Sequence, residues 1–190
     1  MATKTPARTR VLDTASRLFY AEGVHAVGVD RIIAEAAVAK ATFYHHFKSK
    51  DELVTAYVED QARRHREAGE ALFTASGPPR ERLMSVYTYL GEAAASPAYR
   101  GCVYLNAAAE FPDPAHPVRL AVAAYRRWFR DRMRDLLVAD GHPDPDRTAD
   151  ILLVLRDGLA AGFDLDDPVR LRKLVPDAVG RVLTPAASAG

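Results

Sequence analysis

Apolar residues along this chain recur every three or four positions, with almost no strict alternation, and proline and glycine breakers separate the runs. A period near 3.6 residues is that of one helix face, so the pattern predicts an all-α protein. Val11, Leu12, Ala15, Leu18 and Phe19 form the first stripe, with Thr5 placed to cap it, Pro6 suited to the first helical position and Gly23 to the stop. Two short helical runs follow, Val29 to Ala36 and Lys40 to Phe47, with only Ala37, Val38 and Ala39 between them. Ser49-Lys50-Asp51-Glu52 then has the form of a capping box, in which the serine and the glutamate satisfy orphan amides at a helix start. It opens a long helix towards Ala75.

Gly77-Pro78-Pro79 launches another helix through Ala95, Ser96-Pro97 breaks the chain again, and Gly101 to Glu110 reads as a short apolar helix. After the stop at Phe111-Pro112-Asp113-Pro114, the stripe Val122, Tyr125, Phe129, Met133 and Leu136 predicts a helix extending to Asp140-Gly141. Asp144-Pro145 and Asp167-Pro168 each place a capping carboxylate before a proline suited to the first turn, so two final helices begin there. Leu152, Leu155, Leu159 and Phe163 stripe the first of them; Leu171, Leu174, Val175, Ala178, Val179 and Val182 stripe the second. The tail from Pro185 is expected to fray.

Composition adds bounds. With 190 residues, 48% hydrophobic and 27% charged, the chain is ordinary globular material for one compact unit, or a small module joined to a larger one. A net charge of +1 gives no global pull on nucleic acid or membranes. The charge is uneven, however: residues 1–50 hold eight Lys or Arg against four Asp or Glu, a local +4, leaving 18 against 21, or −3, for the rest. An anionic partner is therefore best met by the short-helix region. The second basic cluster, Arg126, Arg127, Arg130, Arg132 and Arg134, interleaves with Asp131 and Asp135 and reads as a solvated, partly self-paired helix face. The single cysteine, Cys102, can make neither an internal disulfide nor a structural zinc site. No readable signal peptide and no apolar run of membrane-spanning length accompany it, so a cytoplasmic protein without membrane contact is expected.

Two short helices joined through three residues suit a helix-turn-helix, which needs apolar residues on both helices and in the turn to fix their angle. Ile32, Ile33 and Ala36 supply the inner face of the first, Val38 fills the turn, and Phe43 and Phe47 anchor the second against Leu12, Ala15 and Phe19. Lys40, Ala41, Thr42, Tyr44 and His45 are left facing outward. A cation, two hydroxyls and an imidazole suit phosphate oxygens and base edges, and Lys50 in the next helix's first turn can join backbone amides around a phosphate.

The stretch from residue 8 to 58, RTRVLDTASRLFYAEGVHAVGVDRIIAEAAVAKATFYHHFKSKDELVTAYV, and above all KATFYHHFKSKDEL within it, resembles the tetracycline-repressor (TetR) family of transcriptional regulators. The resemblance implies an all-helical homodimer, with an N-terminal three-helix DNA-binding head over residues 6–66, its helix-turn-helix at 29–48, on a larger ligand-binding and dimerisation body over 67–190. It places Thr42, Tyr44, His45 and Lys50 at DNA, with Lys40 and Ala41 towards base edges. Gly28 and Ala39 stand where the family usually has a capping serine or threonine, so only backbone amides could meet phosphates there, and Ala37 and Ala41 replace common glycines. The implied function is a ligand-responsive repressor that releases a palindromic duplex operator when a small molecule binds the body.

In the body, GCVYLNAAAEFPDPAHPVR resembles a stretch of the regulatory half of some family members. Tyr87, Tyr104, Phe111, Tyr125, Trp128 and Phe129 are candidates to line an aromatic effector pocket, as is Tyr89, with Asn106 as polar reader; packed core is the competing reading. The last two helices are striped too richly for a monomer's surface, which predicts a twofold dimer through them. Cys102, after Gly101 and next to Arg100 at a helix start, opens an alternative, a thiol-based redox or electrophile-sensing repressor. A helical enzyme or carrier without DNA binding is the remaining rival. Nothing in the sequence resembles a nucleophile elbow, phosphate loop, dinucleotide fingerprint or metal spacing, so no enzyme, cofactor or metal is expected.

Overall fold

The structure, a computed structural model, describes residues 5–184. The described residues form nine α-helices and no strand: α1 (Ala7–Glu22), α2 (Val29–Glu35), α3 (Lys40–His46), α4 (Lys50–Phe73), α5 (Pro79–Ala93), α6 (Val103–Glu110), α7 (Pro117–Ala139), α8 (Pro145–Leu165) and α9 (Pro168–Leu183). The all-α expectation holds. The tail from residue 185 lies outside the described residues.

Most helix ends follow the expected chemistry. Asp144 accepts from the N–H of Arg147 at 3.3 Å and Asp167 from that of Val169 at 2.9 Å, each ahead of a proline in the first turn. Ser49 accepts from the N–H of Glu52 at 3.1 Å, while Glu52 reaches back to the N–H of Lys48, one residue earlier than a reciprocal box requires. Gly23 closes α1 at φ +91°, a conformation that favours glycine. The first helix start departs from expectation. Pro6 sits at the cap with an extended backbone, and Thr5 makes no side-chain cap but offers its carbonyl to Nη1 of Arg10 at 2.7 Å.

The chain forms two compact units. One contains the chain up to Arg63 together with Val103–Ala123; the other contains Arg64–Cys102 and the chain from Ala124 onwards. The division falls inside α4 and α7. It assigns α6 to the same unit as α1–α3, where a division by sequence stretch places everything beyond residue 66 in the body.

In the first unit, α1, α2 and α3 pack on one another around Leu18, Ile32, Phe43 and Phe47, all fully buried. Phe19 meets Tyr57 of α4 edge to face, 5.7 Å between ring centroids. The second unit is built on α5, α8 and α9 packed together, with Leu83, Tyr87, Met133, Leu137, Leu152 and Val179 at the centre. The α7 stripe from Val122 to Leu136 is buried throughout. Leu155 and Leu159 of the α8 stripe are only partly buried, whereas Ile151, Val154 and Leu165 on that helix are exposed.

Candidate nucleic-acid interface

The turn between α2 and α3 is held from both sides. Inside, Ile32 and Ala36 are buried and Val38 is half-buried. Outside, Arg10 of α1 donates through Nε to the carbonyl of Ala36 at 3.2 Å and through Nη2 to that of Ala37 at 3.4 Å. These charge-assisted bonds satisfy carbonyls that the end of α2 leaves without helical partners. Sequence reasoning missed Arg10, because its partners are backbone atoms some 26 residues away. Ala37 itself has φ +50°, the left-handed region.

With Phe43 and Phe47 buried, the opposite face of α3 is open. Lys40, Ala41 and His45 are exposed, Tyr44 is 42% exposed, and Thr42 is half-buried. The Tyr44 ring stands edge-on to Phe43, 5.2 Å between centroids. Lys50 is the first residue of α4 and half-buried. Gly28 and Ala39 sit at the caps of α2 and α3, extended and without side-chain cap bonds. The structure thus brings every residue proposed for DNA onto the α2 start, α3 and the α4 start.

Electrostatics modify the expected picture at one residue. Lys40 is not a free cation: its ammonium lies 3.1 Å from a carboxylate oxygen of Asp30, whose hydrogen bond and charge hold the lysine above its ordinary pKa. On the flank, Arg31 binds Glu22 through both Nη atoms at 2.6 and 2.8 Å and Glu35 through Nε at 2.8 Å, and Arg17 also reaches Glu35. The bond from Arg31 holds Glu22 below the usual carboxylate range; those from Arg17 and then Arg31 do the same for Glu35. Three of the four acidic residues before position 50 are therefore spent on Arg17, Arg31 and Lys40.

The fold and this surface can now be set beside known proteins. A family model described as bacterial regulatory proteins, tetR family, matches residues 11–57. A TetR-family transcriptional regulator from Streptomyces coelicolor superposes with a TM-score of 0.89 at 44% sequence identity, covering 93% of this chain and 94% of that one. The chain belongs to the TetR family of transcriptional regulators. Among curated relatives, the HTH-type transcriptional regulator UidR of Escherichia coli is 39% identical over 59 residues, 30% of either chain. The HTH-type transcriptional repressor NemR of Escherichia coli is 28% identical over 122 residues, 63% of this chain and 61% of that protein. Each of these two matches spans less than two thirds of the relative's own length. The TetR-family pattern at residues 40–53 coincides with the open face of α3 and the capped start of α4 just described.

The candidates for an effector site are distributed over both units. Tyr104, Asn106 and Phe111 belong to the first, Tyr87, Tyr125, Trp128 and Phe129 to the second. Tyr87 is fully buried and donates its hydroxyl to the carbonyl of Leu152 at 2.6 Å, and burial pushes its phenol well above the ordinary value. Tyr104, Phe111, Tyr125 and Phe129 are buried, Trp128 is half-buried against Phe73, and Asn106 and Tyr89 are exposed. Tyr125 and Phe129 share a neighbour that no sequence pattern pointed to. Arg156, 4% exposed, lies over both rings at 5.6 and 5.1 Å, with Nη1 3.0 Å from Asp157 and Nη2 3.1 Å from Cys102 Sγ. The other oxygen of Asp157 lies 2.6 Å from Arg126. Along α7, Arg130, Arg132 and Arg134 meet the interleaved Asp131 and Asp135 at 3.6–3.9 Å, the self-pairing their spacing predicted, but their shorter pairs run to other helices, from Arg130 and Arg134 to Asp146, from Arg130 to Asp150 and from Arg132 to Glu70. A groove of about 220 Å³ in the second unit is lined by Glu70, Phe73, Thr74, Arg82, Arg132, Asp135, Leu136 and Ala139, none of them an effector-site candidate.

Proposed function

We propose that this chain is a ligand-responsive DNA-binding repressor. As a twofold dimer it holds a palindromic duplex operator through residues 28 and 39–50, and it releases that operator when a small molecule binds its helical body. The observation that carries the reading is the outer face of α3, where Lys40, Ala41, Tyr44 and His45 stand open on a helix locked from behind by Phe43 and Phe47. Lys40 and Ala41 face base edges, and Thr42, Tyr44, His45 and Lys50 meet phosphates, joined by the backbone amides behind Gly28 and Ala39. In functional terms residues 6–66 read DNA and residues 67–190 respond and dimerise. The protein works by binding and not by catalysis, needs no cofactor, and acts in the cytoplasm, where the chromosome is.

Support for the dimer comes from Ile151, Val154 and Leu165 on α8 and Val169 and Leu174 on α9, all exposed apolar side chains. On α8 they recur with three- and four-residue steps through Gly158 and Ala161, the seam that packs against a second helix pair. For the effector, the buried aromatic residues Tyr87, Tyr104, Phe111, Tyr125 and Phe129, with Trp128 and Asn106, remain the proposed lining.

The test is binding to duplexes selected from a random library. A dimer that neutralises about eight phosphates gives a slope of roughly −7 for log K against log salt. Tyr44→Phe and Lys50→Ala weaken all sequences alike, whereas a Lys40 change alters preference. A flat salt response rejects the reading. One contact favours a second, thiol-based reading: the buried Arg156 guanidinium donates to Cys102 Sγ at 3.1 Å, which places a fixed cation on the chain's single sulfhydryl. If Cys102→Ser releases operator under mild peroxide as wild type does, that reading falls.

A further inference from the structure

The end of α6 grips the reading head. Glu110, the last residue of that helix, accepts the N–H of Val24 on Oε1 at 2.7 Å and the N–H of His25 on Oε2 at 2.6 Å. Its own carbonyl lies 2.9 Å from Nε2 of His25, which donates to it. Both amides belong to the segment that leads from α1 into α2, and a carboxylate taking two N–H groups makes bonds about twice as strong as neutral ones. Gly23 shapes the segment through its φ of +91°, a conformation that favours glycine, and a Cβ there would stand in ordinary contact with Oε1 of Glu110 at 3.4 Å.

The neighbouring residues hold a second point. The Phe111 ring stacks on His116 at 4.5 Å and meets His25 at 5.6 Å. His116 Nε2 lies 3.5 Å from Asp51, in the first turn of α4 beside Lys50. Arg119 of α7 donates to the carbonyl of Phe111 at 3.0 Å, which ties the α6 terminus to α7. The α6–α7 corner therefore holds the chain where it enters α2 and where it leaves α3 for α4.

We propose that Glu110 is the positioning residue through which this corner and the DNA-reading helix pair act on one another. With its carboxylate on the two amides, α2 and α3 present their outer face; a displacement of α6 draws Val24 and His25 with it and turns that face away. The inference rests on the DNA-binding reading. Linkage makes it reciprocal, so operator binding must in turn alter α7. The chain's single tryptophan, Trp128, lies on α7 and reports it.

The experiment compares wild type with E110Q, which keeps the shape and removes the charge. Three quantities are read: amide hydrogen exchange of residues 23–28 without DNA, affinity for a duplex recovered from a random library by wild type, and Trp128 emission at saturating duplex. We expect exchange at Val24 and His25 at least tenfold faster in E110Q, operator binding about tenfold weaker, and the emission change seen in wild type lost once the variant is saturated. A merely structural role leaves that emission change intact in bound E110Q. Equal exchange in the two proteins, an emission response equal in both, or one absent from wild type overturns the proposal. Recovery of no duplex by wild type overturns the coupling together with the DNA reading, and the exchange arm then reports the Glu110 grip separately. Should E110Q not fold, E110D, which keeps the charge but shortens its reach to the two amides, takes its place with the same expected outcomes.

Discussion

At the scale of single residues, two alanines in the helix-turn-helix carry conformations that other residues fill better. Ala37 has φ +50°, which costs a residue with a Cβ about 1–2 kcal/mol, so Ala37→Gly should stabilise the protein by about 1 kcal/mol after glycine's own entropy is counted. In a chain of this size that raises the melting midpoint by about 2–4 °C, read by circular dichroism. Ala39 caps α3 with no side-chain acceptor; Ala39→Ser should add about 1 kcal/mol and tighten duplex binding in the same titrations that measure wild type. Both positions were visible in the sequence, where small residues replace the family's usual glycine and hydroxyl. Lys40 was legible as an outward cation, but its pairing with Asp30 was not, because two exposed side chains ten residues apart on different helices meet only once the turn is folded.

At the scale of elements, the nine helices were legible because each buries one stripe at helical period and most are bounded by proline, glycine or a capping aspartate. The place of α6 was not. Its bonds to Val24 and His25 span 86 and 85 residues, and an apolar run of eight residues says nothing about which neighbour it joins. The α1–α2 ion-pair network makes a pH prediction. Glu22 and Glu35 titrate lower in the folded state than when unfolded, so their contribution is complete above the ordinary glutamate value and is lost as pH falls through the depressed one. Melting followed from neutral pH downward should show a smaller acid-side decline in Arg31→Ala than in wild type, and added salt should shrink the difference, since every member is exposed.

At the scale of the whole molecule, the proposed function requires two chains. Val154 is 69% exposed in the middle of the proposed α8 seam, so Val154→Asp should yield monomers in sedimentation while helix content stays unchanged. The same variant should lose about the square-root relation between half-site and full-site binding that a dimer enjoys, seen as equal affinity for duplexes with one and two half-sites. Separating the half-sites by half a helical turn should abolish wild-type binding, because the two reading helices must enter grooves about 34–36 Å apart on the same side of the duplex. The apolar excess on the last helices stood out in the sequence, but which of those residues turn inward and which stay exposed depends on how α5, α8 and α9 pack.

Asp157 serves two guanidiniums, those of Arg156 and Arg126, from its two oxygens. That sharing ties three codons together. A lone change to asparagine takes the carboxylate from both cations, one of them buried, so drift at any member is tolerated only alongside its companions. In a survey of descendants of this gene, the trio should be kept or exchanged as a set, and a lineage that retains Arg156 and Arg126 while losing the acid should carry a new one within reach.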